Sequence, residues 1–182
     1  MKKIILFLFL SFCLTSQAFA MTYTNEPKEY DGVPWGSSVS DFNRYGKQIT
    51  LVKQEAQENV SVYKPENQSL FIFNKNFDEI NYYFYKGRFF MVRAIKHNDK
   101  EMSQTLYQTI KSRHGAHTQQ NDNIPKKTTT YWWQGDNTFI LLTMDHMQQN
   151  THLTFYNKAL YQEWSFNRKP TTGPPGKIKE RS

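Results

Sequence analysis

The chain has a single cysteine in 182 residues, Cys13, and it lies within the first twenty. Those twenty, MKKIILFLFLSFCLTSQAFA, have the layout of an export signal. Lys2 and Lys3 make a positive start. Ile4 to Leu14 is an apolar stretch too short to span a bilayer, and Ala18-Phe19-Ala20 supplies the small residues that signal peptidase requires. The sequence predicts cleavage after Ala20 and a periplasmic or secreted protein, residues 21–182, with no stable transmembrane span. Cys13 leaves with the signal, and Phe12 stands beside it where lipoprotein signals carry a small residue. A mature chain without cysteine excludes disulfides, thiolate metal sites and a cysteine nucleophile, so ordinary packing must stabilise the fold. Acidic residues are also few. Sixteen Asp and Glu face 23 Lys and Arg, a net charge of +7 that falls to +5 when Lys2 and Lys3 leave. From Asn167 onward, NRKPTTGPPGKIKERS has Ile178 as its one large aliphatic residue, and five basic residues face only Glu180. Such a segment cannot bury enough apolar surface to offset its ordering entropy, and it reads as a disordered basic tail, 167–182.

What remains, 21–166, is long enough for one domain with a real core. Its start is punctuated. In Val33-Pro34-Trp35-Gly36-Ser37-Ser38, the residue before proline is extended and Gly36 permits a sharp turn. Ser37 or Ser38 then caps a helix whose Asp41 stands three residues after Ser38, with Val39, Phe42 and Tyr45 at helical spacing and Gly46 at the end. Gly36-Ser37-Ser38-Val39-Ser40 lacks the second glycine of a nucleophile elbow, and a phosphate loop would need more glycines and a lysine. The serines therefore read as punctuation. Strand-like pieces follow at 48–54, 59–64 and 69–74. Then comes an aromatic hairpin, EINYYFYKGRFFMVRAI, turning at Lys86-Gly87. A regular two-residue loop sets Phe84 opposite Phe89, Tyr83 opposite Phe90 and Tyr82 opposite Met91. One face then carries Ile80, Tyr82, Phe84, Phe89 and Met91; the other carries Tyr83, Tyr85, Arg88, Phe90 and Val92. Asn98-Asp99-Lys100-Glu101 looks like a capping box, and Met102, Leu106 and Ile110 mark a helix that closes at His114-Gly115. A polar loop over 117–127 leads to strands at 128–134, 138–144 and 151–156, and a short helix over 157–163.

Each half thus runs from a capped helix into strands, a hint of internal duplication. Strands grouped after helices give an α+β fold, an antiparallel sheet with helices on one face. Trp35-Gly36-Ser37 before a helix, the strand ending Tyr85-Lys86-Gly87-Arg88, and Arg113-His114-Gly115 at a helix end resemble small secreted bacterial proteins of the β-lactamase-inhibitor-like kind. They also resemble outer-membrane assembly lipoproteins of the SmpA/OmlA type. The resemblance covers about 33–157. It implies binding or inhibition rather than catalysis, and the chain departs from the lipoprotein kind in lacking a lipidation cysteine.

The candidate chemistries narrow in the same direction. His114 and His117 are three apart across a helix-breaking Gly115, and Asp145-His146 are sequence neighbours whose side chains diverge on a strand, so neither pair has metal-ligand spacing. Adjacent Asp78-Glu79 and loop-borne Glu55 and Glu58 do not set two carboxyl groups on one cleft. Lys86-Gly87-Arg88-Phe89 departs from the RNA-recognition strand at its third and fourth positions. No cofactor, metal or nucleic acid is expected. The surplus of aromatics is the remaining signal. Tyr83, Tyr85, Arg88 and Phe90 on one hairpin face, with Trp132 or Trp133, are residue types that anchor interfaces. The expectation is a non-catalytic binding protein whose partner is an envelope or extracellular protein or polymer. A small extracytoplasmic hydrolase or a metal-binding protein is the alternative.

Overall fold

The computed structural model describes residues 25–55, 58–66 and 70–167. The export signal lies outside these residues, as do 168–182 of the tail. A short hairpin opens the fold, with β1 (Glu29–Tyr30) paired to β2 (Val33–Pro34). Helix α1 (Val39–Arg44) follows. Its N-cap is Ser38, whose side chain accepts from the Asp41 N–H while the Asp41 carboxylate accepts from the Ser38 N–H, so the punctuation reading holds. The turn before it is stitched to the rest of the molecule. The Gly36 N–H donates to the Phe89 carbonyl and the Phe89 N–H to the Ser37 carbonyl, each at 2.8 Å. Trp35 stacks on Phe89 with ring centroids 4.9 Å apart.

After α1 come β3 (Ile49–Glu55), β4 (Val60–Pro65), a small hairpin of β5 (Phe71–Ile72) and β6 (Lys75–Asn76), then β7 (Glu79–Tyr85) and β8 (Arg88–Lys96). Helix α2 (Lys100–His114) is capped by Asp99, one residue later than the Asn98 box, through a bond from the Met102 N–H. Then come β9 (Gln119–Asn123), β10 (Thr128–Gln134), β11 (Thr138–Asp145), β12 (Asn150–Asn157) and α3 (Lys158–Asn167). The polar stretch expected as a loop thus contains an edge strand, β9. Its five exposed polar side chains carry no apolar pattern that would announce a strand.

Eight strands form one antiparallel sheet in the order β3-β4-β7-β8-β12-β11-β10-β9. The order repeats: a helix and a four-stranded meander, twice, with the two meanders joined through their last strands, β8 and β12. The α+β fold is therefore an antiparallel sheet in two halves of like layout. Helices α1 and α2 share one face, as the halves require. Phe42 of α1 and Leu106 and Ile110 of α2 pack with Phe84, Phe89 and Leu153 in the main core. The third helix lies on the other face, where Leu160 and Trp164 cover Val60, Val62, Tyr85 and Phe90.

The central hairpin departs from a regular ladder. Phe84 pairs with Phe89, but Tyr83 pairs with Met91 and Tyr82 with Val92. Phe90 is an extra residue, a bulge. The expected partners of Tyr83 and Tyr82 shift by one, so Val92 enters the main core while Met91 turns to the α3 side.

Candidate functional site

The strands alternate sharply. Along β11, Thr138, Ile140, Leu142 and Met144 are buried and Phe139, Leu141 and Thr143 are half-exposed. The same holds along β12 from Asn150 to Phe155. A sheet with one face packed and one partly open must alternate in this way. The partly open face is where the sequence places its aromatic surface.

The structure divides the six expected binding residues. Tyr85 is 1% exposed and Phe90 0%, both under α3. Trp133 is 0% exposed on the α2 side, its indole N–H donating to the Gly115 carbonyl at 2.9 Å. These three belong to the two cores and do not reach a surface. Arg88 is half-exposed but engaged: its guanidinium lies 2.5 Å from the Glu163 carboxylate of α3, which also accepts from Lys86 at 3.1 Å. These bonds hold the Glu163 carboxyl below its ordinary range. Only Tyr83 and Trp132 stand half-buried on the open face. The missed signal was in the last helix. Leu160 and Trp164 are four apart, an apolar pair on one helical side that needs a partner, and the Tyr85 and Phe90 face supplies it.

What α3 leaves uncovered is a set of cross-strand rows. One row runs Asn81, Arg93, Thr154, Leu141, Trp132, Gln119 across six strands. Arg93 is its one formal charge. The Arg93 guanidinium donates to the His152 ring nitrogen Nδ1 at 3.2 Å. Burial raises the Tyr83 hydroxyl above its usual titration range, opposed by the charge of Arg93 and a hydrogen bond with it. Beside Trp132, Thr130 and Thr143 pair through their hydroxyls at 3.0 Å. The patch is a shallow, hydroxyl- and amide-rich surface around one indole and Leu141.

Four residues of the hydrolase and metal alternatives have hydrogen-bond partners within the fold. Asp145 accepts from the Met147 and Gln148 N–H groups of its own turn, each at 2.9 Å. His146 bonds Thr129 through Nε2 at 2.9 Å, and His152 faces Arg93. Asp78 accepts from Lys96 and the His97 N–H, which hold its carboxyl below its ordinary range. Among the described residues no three His, Cys, Asp or Glu side chains gather as metal ligands, and no helix is long and apolar enough to cross a membrane. Compared with protein-family models, with curated protein sequences and with solved structures, the chain matches none of them.

Proposed function

We propose that the chain is an exported, non-catalytic binding protein that lays the open sheet face against a polysaccharide of the cell envelope. The row through Trp132 and Leu141 carries this reading. An indole stacks on the apolar face of a sugar ring, and the Thr, Asn and Gln side chains beside it offer the donors and acceptors that a sugar's hydroxyls require. The near absence of charge in the row suits a neutral polymer better than an acidic protein surface. The resemblance to β-lactamase-inhibitor-like and SmpA/OmlA-type proteins likewise implies binding or inhibition rather than catalysis.

Retardation of the purified protein in native gels containing soluble envelope polysaccharide tests the reading. Trp132→Ala should abolish the retardation while lowering the melting temperature by no more than a few degrees. Retardation that survives Trp132→Ala overturns the assignment of this face. Export is tested separately by N-terminal sequencing of the protein recovered outside the cytoplasm, which should begin at Met21; recovery with Met1 in place sinks that part.

A further inference from the structure

A concave site lies on the other side of the molecule, at the C-terminal end of α2. It is a cleft of about 560 Å³ between the N-terminal segment, the β5–β6 hairpin and α2, within the size range of small-ligand sites. Its apolar floor is Tyr30, Ile72, Phe73 and Phe155. The Tyr30 and Phe155 rings are 5.6 Å apart, and those of Phe73 and Phe155 6.0 Å. Phe71, 56% exposed, stands at its mouth.

The hairpin turn that delivers Phe73 is unusual. Phe73 and Asn74 have φ of 53° and 60°, the left-handed region that a two-residue hairpin loop demands. Asn adopts it readily, but a bulky aromatic residue does not. The turn therefore carries strain at Phe73, where Asn or Gly would relieve it. Lys86, Lys127 and Gln149 take the same backbone at other turns, but Phe73 is the bulky aromatic among them. The turn delivers the Phe73 ring to the cleft, where the Arg113 guanidinium sits 4.9 Å from its centroid.

The polar groups of the cleft are of both signs. Asp31 is occupied by Lys47 at 2.5 Å. Glu29 and Arg113 are exposed, line the cleft from β1 and from α2, and are in no ion pair among the described residues. An aromatic floor between an acid on one element and a guanidinium on another is complementary to a zwitterion with an apolar body. The volume exceeds what a single amino acid fills. We infer that this cleft binds a peptide of two or three residues with apolar side chains. Its carboxylate meets Arg113, its ammonium meets Glu29 and a side chain lies against Phe73 and Phe155. The site is independent of the sheet face, which lies across the sheet from it.

Calorimetric titration of the purified protein with the dipeptide Leu-Phe, its C-terminal amide and its N-acetyl form tests the inference. The free dipeptide should bind, and each blocked form should bind about tenfold or more weakly, because each loses a charge-assisted contact. Arg113→Gln should erase the difference between carboxylate and amide, and Glu29→Gln the difference between amine and acetyl. Phe73→Asn should weaken binding about tenfold or more, with the backbone relief that asparagine brings offsetting part of the packing lost against Phe155. Trp132→Ala should leave dipeptide binding unchanged. Two outcomes overturn the inference. One is absence of binding at millimolar dipeptide. The other is equal binding of the free and blocked forms.

Discussion

Trp132 and Trp133 are neighbours in β10 with opposite fates, because successive strand residues point to opposite faces. Trp133→Ala should cost about 3–5 kcal/mol, since it empties a fully packed site and strands the Gly115 carbonyl. Trp132→Ala should cost under about 1 kcal/mol. Urea unfolding of the two variants checks this, and equal losses would mean that the open face is covered after all. Ser38→Ala removes the α1 cap and should cost about 0.5–2 kcal/mol. Ser37→Ala should cost less, because Ser37 contributes its backbone carbonyl to the bond from the Phe89 N–H. These distinctions were partly legible in the sequence. The cap was readable because a serine and an aspartate three residues on act locally. That the two tryptophans diverge was readable from strand geometry, but not which one goes inside, since that depends on α2 lying over one face.

At the level of elements, the sequence announces α3 as a helix but leaves open whether it or the 116–127 stretch covers the aromatic face. The aromatics Tyr85 and Phe90 have the pattern of an interface and of a core alike. The choice is made about seventy residues later by Leu160 and Trp164, and tertiary packing of that range leaves no local trace. Trp164→Ala should therefore cost about 3–5 kcal/mol and expose Phe90. The ionic clasp that fixes the helix should also be sensitive to acid. The Glu163 carboxyl sits below its ordinary value in the folded protein because Arg88 and Lys86 donate to it. Its contribution is therefore complete above the usual carboxylate range and is lost as pH falls through the lowered value. Urea midpoints should drop between pH 7 and pH 3. Glu163→Gln should lower the pH 7 midpoint and make that drop smaller. Asp41 and Asp78, both held low by hydrogen bonds, act in the same direction and account for the drop that remains. An undiminished drop in Glu163→Gln would show that the clasp adds nothing.

For the whole molecule, the two halves share one sheet and one core despite their repeated layout, and should unfold as a single cooperative unit. β8 and β12 pair over six residues, and the main core draws Phe84 and Phe89 from one half and Ile140 and Leu142 from the other. Calorimetry should show a single transition with matching calorimetric and van't Hoff enthalpies; two resolved transitions would contradict this. The repeat itself was visible as helix-then-strands twice over, but its symmetry is imperfect in a telling way. The ladders of β9 through β12 are regular, whereas both register shifts fall in the first half, at Val52 and at Phe90. Phe90 is one of the residues that α3 covers, and the helix also reaches the second half, where Tyr161 stacks on Tyr156 of β12 with ring centroids 4.3 Å apart. Removing Phe90 would bring the remaining pairings of the hairpin into a regular ladder, while taking away one of the four residues that Leu160 and Trp164 cover.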